Sequence, residues 1–317
     1  MTTALSPAAV AAIDDLELAA RLVVEGLRAG GHRSPFHGYS AEFQQHRSYR
    51  AGDDLKYLDW KLLARTDRLY SRQFRETTSL AAMIVLDTSA SMGFPEKHET
   101  YEKHEKHEKH EKHERDATGV SKLEYSRILG ASLAYLISGQ GDAVGLLSST
   151  ENRLSYVPSR GGKPHLRRVL AALDRAEAGG SWDPARSVAR AAELLKRRGV
   201  VVAISDFYDS EEETRRELRR AARRGHDVAM IQVMSPAEAE FPYGGDVEFE
   251  DLESRERRRI DVRATADEYR ARFREFLDRC EREARRDGLD YVLFSTAENP
   301  GSALRRYLLR RVEAQLR

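Results

Sequence analysis

The sequence predicts an α/β protein with a mainly parallel sheet covered by helices on both faces, preceded by a small N-terminal accessory region. Three observations predict it. From residue 80 onward, short apolar runs alternate with amphipathic helical stretches. Runs such as 81–86 and 200–204 are apolar almost throughout, as strands buried on both faces require. With 317 residues, 40% of them apolar and 33% charged, the chain can fill a core beneath a heavily charged surface.

Taken in order, residues 7–29 carry apolar side chains at helical spacing and end at Gly30-Gly31, which predicts one helix with a glycine stop. Residues 32–78 mix aromatic and charged residues around a turn at Ala51-Gly52-Asp53, with a strand candidate at 69–74. The first core strand spans 81–86, followed by a helix over 123–137 and strands at 143–147 and 154–157. Helices are expected over 164–176 and 184–198, the second closed by Gly199. A buried strand at 200–204, a helix over 211–224 and a strand at 228–233 continue the rhythm. A hairpin-like segment at 245–263, a helix over 267–287, a strand at 290–294 and a helix over 301–315 complete it. The expected organisation is an N-terminal helix and β-containing segment over 1–78 and a main α/β domain over 79–317.

One segment breaks the rhythm. The insert at 97–115 contains EKHEKHEKHEKHE, whose Glu-to-Lys pairs four apart favour a marginal helix that has no apolar residue to anchor it. A solvated, fraying or disordered segment is the simpler reading; transition-metal binding by His104, His107, His110 and His113 is the sharper one. Histidines three apart drift around a helix, which works against a tight tetrahedral site.

Charge balance narrows the function. Lys and Arg number 53 against 52 for Asp and Glu, so the clustered positive field of a nucleic-acid binder is not expected. Arg215 to Arg224 and Arg255 to Arg263 alternate with acids and read as solvated faces. The single cysteine, Cys280, excludes an internal disulfide, and its helical spacing from Phe273, Phe276 and Leu277 suggests a core position. No apolar run is long enough to span a membrane and no secretory leader pattern opens the chain, so a cytoplasmic protein is expected.

Chemistry concentrates at strand ends, where ligands sit in open α/β sheets. Met83-Ile84-Val85-Leu86-Asp87-Thr88-Ser89-Ala90-Ser91 places a carboxylate and two hydroxyls at alternate positions after a buried strand. Gly179-Gly180-Ser181 offers a hydroxyl before a helix, and Ile204-Ser205-Asp206 a second carboxylate after another buried strand. Singly, these are ordinary helix-capping patterns. Together, Asp87, Ser89, Ser91, Ser181 and Asp206 supply hard oxygen ligands suited to Mg²⁺, with Mn²⁺ or Ca²⁺ as alternatives.

These residues resemble the metal-ion-dependent adhesion site of von Willebrand A domains, a Rossmann-like fold. Asp87, Ser89 and Ser91 fit its Asp-x-Ser-x-Ser motif and Asp206 its final aspartate. Ser181 stands where that family usually has threonine, and Phe207 where it has glycine. The resemblance implies an ion with an open position that a partner's Asp or Glu fills. A wider resemblance covers residues 30–310. HRSYRAGDDLKYLDWKLLAR (46–65) with Phe74-Arg75-Glu76, Lys122-Leu123-Glu124-Tyr125 and Gly141-Asp142-Ala143-Val144-Gly145 is similar to the bacterial domain-of-unknown-function family 58. That resemblance implies association with a MoxR-type AAA+ ATPase, as adaptor or co-chaperone, or with its client. Arg47, Asp53, Asp59, Trp60 and Arg65 read either as an internal salt-bridge and turn network or as a partner surface.

An enzyme is not expected. There is no Gly-x-Ser-x-Gly elbow, and Gly161-Gly162-Lys163-Pro164 lacks the spacing of a phosphate-binding loop. A phosphoesterase of the Asp-x-Asp type would need a second acid where Ser89 stands. His165 and His226 are isolated and read as ordinary surface or half-buried residues. The expectation is a metal-dependent protein-interaction module; the alternatives are a structural or assembly protein carrying an incidental ion and, less favoured, a metal-dependent phosphoesterase.

Overall fold

A computed structural model describes residues 6–13, 15–28, 41–48, 60–66, 68–76, 80–94, 119–150, 153–180, 182–208 and 211–315. The repeat insert at 97–115, Tyr49, Gly52, Asp53, Asp59, Ser181 and the side chain of Arg47 lie outside the described residues. The chain divides into two compact units, Met1–Pro35 with Ala81–Arg317, and Phe36–Leu80.

The single N-terminal helix expected from apolar spacing is two helices, α1 (Pro7–Ala11) and α2 (Leu16–Arg28). Asp15 causes the break, because its Oδ1 accepts from the amides of Glu17 and Leu18 at 2.9 and 3.2 Å and so starts a new helix. In the smaller unit, β1 (Ala41–Ser48) pairs antiparallel with β2 (Tyr70–Glu76), with an irregularity between Phe43 and Gln45. Between them in sequence lies α3 (Trp60–Thr66), which opens on the exposed Trp60.

The larger unit runs β3 (Ala81–Leu86), α4 (Lys122–Gly139), β4 (Ala143–Thr150), β5 (Arg153–Arg160), α5 (Lys163–Asp174) and α6 (Pro184–Leu194). It continues through β6 (Val200–Ser205), α7 (Glu211–Arg223), β7 (Asp227–Met234), α8 (Pro236–Glu240), β8 (Asp246–Glu250) and β9 (Arg257–Asp261). It ends with α9 (Val262–Arg286), β10 (Asp290–Ser295) and α10 (Pro300–Gln315). Six strands form one sheet in the order β10-β7-β6-β3-β4-β5, parallel except for β5, which runs against β4. This is the expected largely parallel α/β sheet.

Both faces are covered, which is why the central strands can be apolar throughout. Met83 and Val85 of β3 and Val201 and Ala203 of β6 pack with Val188, Leu218 and Cys280 from α6, α7 and α9. Full burial of each large aliphatic side chain here contributes roughly 1.5–3 kcal/mol. The opposite face carries α4, against which α2, α5 and α10 pack. Cys280 is thus a core residue, fully buried and in no disulfide among the described residues. The expected hairpin is present as β8 and β9, and Phe249 on it stacks on Phe241 at 5.5 Å.

Gly199 does not close α6, which ends at Leu194. It stands at the entry to β6, where a Cβ would collide with the Ala81 carbonyl oxygen of the neighbouring strand. Glycine is needed there for two backbones to approach.

The topology fixes where a site can form. From β3 the chain moves outward on one side to β4, then returns to place β6 on the other side. The carboxyl ends of β3 and β6 therefore flank the crevice that such a reversal opens. Asp87 and Asp206 are the residues immediately after those two strands.

Candidate functional site

The cluster begins with the backbone of the loop after β3. Asp87 donates its amide to the Ile204 carbonyl at 2.9 Å, so the β3–β6 ladder carries one step past the strand end. The Asp87 carboxylate is 3% exposed and fully engaged. Its Oδ1 accepts from the Ser89 amide at 2.8 Å and its Oδ2 from the Ser205 hydroxyl at 2.5 Å. Ser89 Oγ and Ser91 Oγ lie 3.0 Å apart, and Ser91 Oγ donates to Asp206 Oδ2 at 2.8 Å. Four of the five residues singled out from sequence, Asp87, Ser89, Ser91 and Asp206, are therefore brought together. Ser181 lies outside the described residues, yet its loop is tied to the first one. Gly179 donates to the Thr88 carbonyl at 3.0 Å and Ala90 to the Gly180 carbonyl at 3.2 Å.

Asp206 is held from every side. Its Oδ1 accepts from the Tyr208 amide at 3.1 Å, and its carbonyl accepts from Gln232 Nε2 at 2.8 Å. Gln232, buried on β7, is itself fixed by the Tyr291 hydroxyl, which donates to its Oε1 at 2.6 Å. Phe207 between them adopts φ 58°, the left-handed conformation that favours glycine. The loop thus keeps a glycine-like backbone while the Phe207 ring fills the core.

The site also holds a cation that sequence reasoning missed. Lys122 is 0% exposed, and its Nζ donates to Asp206 Oδ2 at 2.7 Å and to Glu238 Oε1 at 2.5 Å. The ammonium also lies 5.1 Å from the centre of the Tyr208 ring. The helix start is readable, because Ser121 and Glu124 form a reciprocal capping box that puts Lys122 at the first helical position. The Lys122 amide donates to the Phe94 carbonyl at 3.0 Å, which ties the loop after β3 to the start of α4 beside the cluster. Glu238 is positioned the same way. Its Oε2 accepts from the Ser235 amide at 2.7 Å within the capping box of α8, which leaves Oε1 for Lys122.

Burial and charge pairing together set the electrostatics. Burial raises the Asp87 carboxyl to about 7, and the neighbouring Asp206 charge adds to the rise. Burial pulls the Lys122 ammonium down, but Asp206 and Glu238 together outweigh it and hold the group above the ordinary lysine value. Burial likewise lifts Glu238 above the usual carboxylate value, against the opposing pull of Lys122.

The donor set suits a hard cation chemically. Neighbouring oxygens on an octahedral Mg²⁺ stand about 2.9 Å apart, given metal–oxygen distances of about 2.0–2.1 Å. The Ser89–Ser91 and Ser91–Asp206 oxygen separations of 3.0 and 2.8 Å match that edge, and they are equally ordinary hydrogen bonds. Ionised, the carboxylates of Asp87, Asp206 and Glu238 against the one ammonium of Lys122 leave two negative charges. Among the described residues, no group of three or more His, Cys, Asp or Glu side chains is placed to hold a metal ion, so any ion here would depend on hydroxyl ligands.

Among the described residues, no helix is long and apolar enough to cross a membrane. The chain is 30% identical over 251 residues to the uncharacterized protein Rv1480 of Mycobacterium tuberculosis, an alignment covering 78% of this chain and 72% of that one. Among solved structures it is similar to BatB from Bacteroides thetaiotaomicron, at 14% identity and a TM-score of 0.41 over 74% of this chain and 99% of that chain. It is also similar to the SpRpn10 VWA domain, at 15% identity and a TM-score of 0.33 over 49% of this chain and 75% of that chain. Residues 45–283 match the family described as Protein of unknown function DUF58, and the chain belongs to that family.

Proposed function

We propose that this chain is a protein-binding module without catalysis of its own, and that the loops held in shape by the buried cluster of Asp87, Ser89 and Asp206, with the partly exposed Ser91 at their surface, meet a partner. The observation that supports this reading is the saturation of the cluster. Both oxygens of Asp87 and both of Asp206 already accept hydrogen bonds, and Asp206 is neutralised by Lys122. A general acid or base must be free to exchange a proton with substrate. A carboxylate locked in this way instead holds a loop in one shape, which is what a recognition surface needs.

A second, metal-dependent form of the same reading is favoured by the oxygen spacing and by the surplus of carboxylates over the Lys122 ammonium, which leaves negative charge on the cluster once Asp87 ionises. In it, Asp87, Ser89, Ser91, Ser181 and Asp206 hold Mg²⁺, or Mn²⁺ or Ca²⁺ in its place. What the ion supplies is a contact for a partner's Asp or Glu carboxylate. Without it, the cluster is an assembly surface in which any ion is incidental. The partner we propose from the family resemblance is a MoxR-type AAA+ ATPase or its client.

Pull-down of a purified MoxR-type ATPase by the chain, with Mg²⁺ and with EDTA, tests both forms. Binding at least about tenfold weaker for Ser91→Ala is expected, in line with the roughly 1.4 kcal/mol worth of one lost charge-assisted hydrogen bond. Loss in EDTA as well selects the metal-dependent form. Equal binding by the wild type and by Ser91→Ala and Asp87→Ala variants would remove the cluster from the interface.

A further inference from the structure

We propose that Lys122 is the resident cation of the cluster, supplying from within the chain the positive charge that holds Asp206 and Glu238 together, so that the binding face is assembled before any metal arrives. This role rests on the binding-face reading above and names what keeps that face in shape.

Three observations carry it. The ammonium is completely buried, yet it bonds two carboxylates from elements far away in sequence, the loop after β6 and the short helix α8. A buried charge of this kind is tolerated only when it is paired and hydrogen-bonded. Next, the same Asp206 oxygen that meets Lys122 also accepts from Ser91, so the lysine is one bond from the first loop of the cluster. Last, Glu238 is pre-oriented by its capping bond to Ser235 and Tyr208 lies over the ammonium, so the lysine sits in a built enclosure. Packing alone does not account for this arrangement. An apolar side chain of the same length would fill the space but leave Asp206 and Glu238 facing each other.

Thermal unfolding of the full chain in excess EDTA and in excess Mg²⁺ tests the proposal. In EDTA the Lys122→Met variant is expected to melt on the order of 10 °C below wild type, since it strands the buried Asp206 and the partly buried Glu238 carboxylates. Adding Glu238→Gln to Lys122→Met is expected to recover part of that loss. Mg²⁺ is expected to raise Lys122→Met by more than it raises wild type, because it returns positive charge to the cluster. Should Lys122→Met fail to fold, Glu238→Gln alone decides. Lys122 then keeps Asp206, so a clearly smaller drop than that of Asp206→Ala is expected. The proposal is overturned if Lys122→Met melts with wild type, if the second substitution deepens the loss, if Mg²⁺ shifts both chains equally, or if Glu238→Gln costs as much as Asp206→Ala. These readouts involve no partner, so their failure is distinct from failure of the pull-down.

Discussion

Replacing Asp206 with alanine is expected to lower the unfolding free energy by about 3–5 kcal/mol, the usual cost of stranding one member of a buried ion pair. The carboxylate is 2% exposed and accepts from Ser91, Lys122 and the Tyr208 amide. Its removal leaves Lys122 buried with a single carboxylate and takes the acceptor from the one loop bond that reaches across to Ser91. Asp206→Asn keeps an oxygen for the Tyr208 amide but not the charge, so its loss is expected to fall between those of alanine and wild type. Urea unfolding followed by far-UV circular dichroism measures both. An alanine variant within about 1 kcal/mol of wild type would show that Lys122 is adequately served by Glu238 alone.

The second large effect concerns Phe207. Its ring is 1% exposed and packs in the cluster formed by α6, α7, α9 and the sheet. Phe207→Ala should therefore cost about 3–5 kcal/mol through the cavity it leaves. The backbone, however, sits at φ 58°. A residue with a Cβ is strained there by roughly 1–2 kcal/mol, and glycine is not. Phe207→Gly is therefore expected to be less damaging than Phe207→Ala by about 1 kcal/mol, although it removes one more carbon. The reverse order would mean that the left-handed turn is not maintained in solution. The glycine expected at this position by resemblance is thus absent as a residue but present as a conformation.

The two Phe207 properties illustrate what a sequence can and cannot reveal. Period and apolarity mark β3, β6 and the loops that follow them, because strands buried on both faces leave an unmistakable apolar run. The paired carboxylates and serines are legible since each follows its strand directly. Lys122 is not. Its residue type argues for exposure, and the partners that make burial tolerable stand 84 and 116 positions away. Glu238 is hidden for a related reason, since α8 is only five residues long and carries no periodic signal. Its Ser-Pro-Ala-Glu start, a capping box with proline at the first position, is the one available clue. The strand β1 leaves little trace because its sequence, AEFQQHRS, is mostly polar. The break between α1 and α2 is masked because apolar spacing continues across Asp15, whose capping role is a local hydrogen-bond choice.

If the chain binds through its strand-end cluster, a partner docks on the carboxyl-end face of the sheet. Hydrogen–deuterium exchange of the chain, alone and saturated with a purified MoxR-type ATPase, locates that face directly. Protection is predicted for residues 87–94, 178–180 and 206–208, which meet at the cluster. Protection confined instead to the arginine-rich surface of α7 or to the outer strand β5, with those loops exchanging as in the free chain, would contradict it.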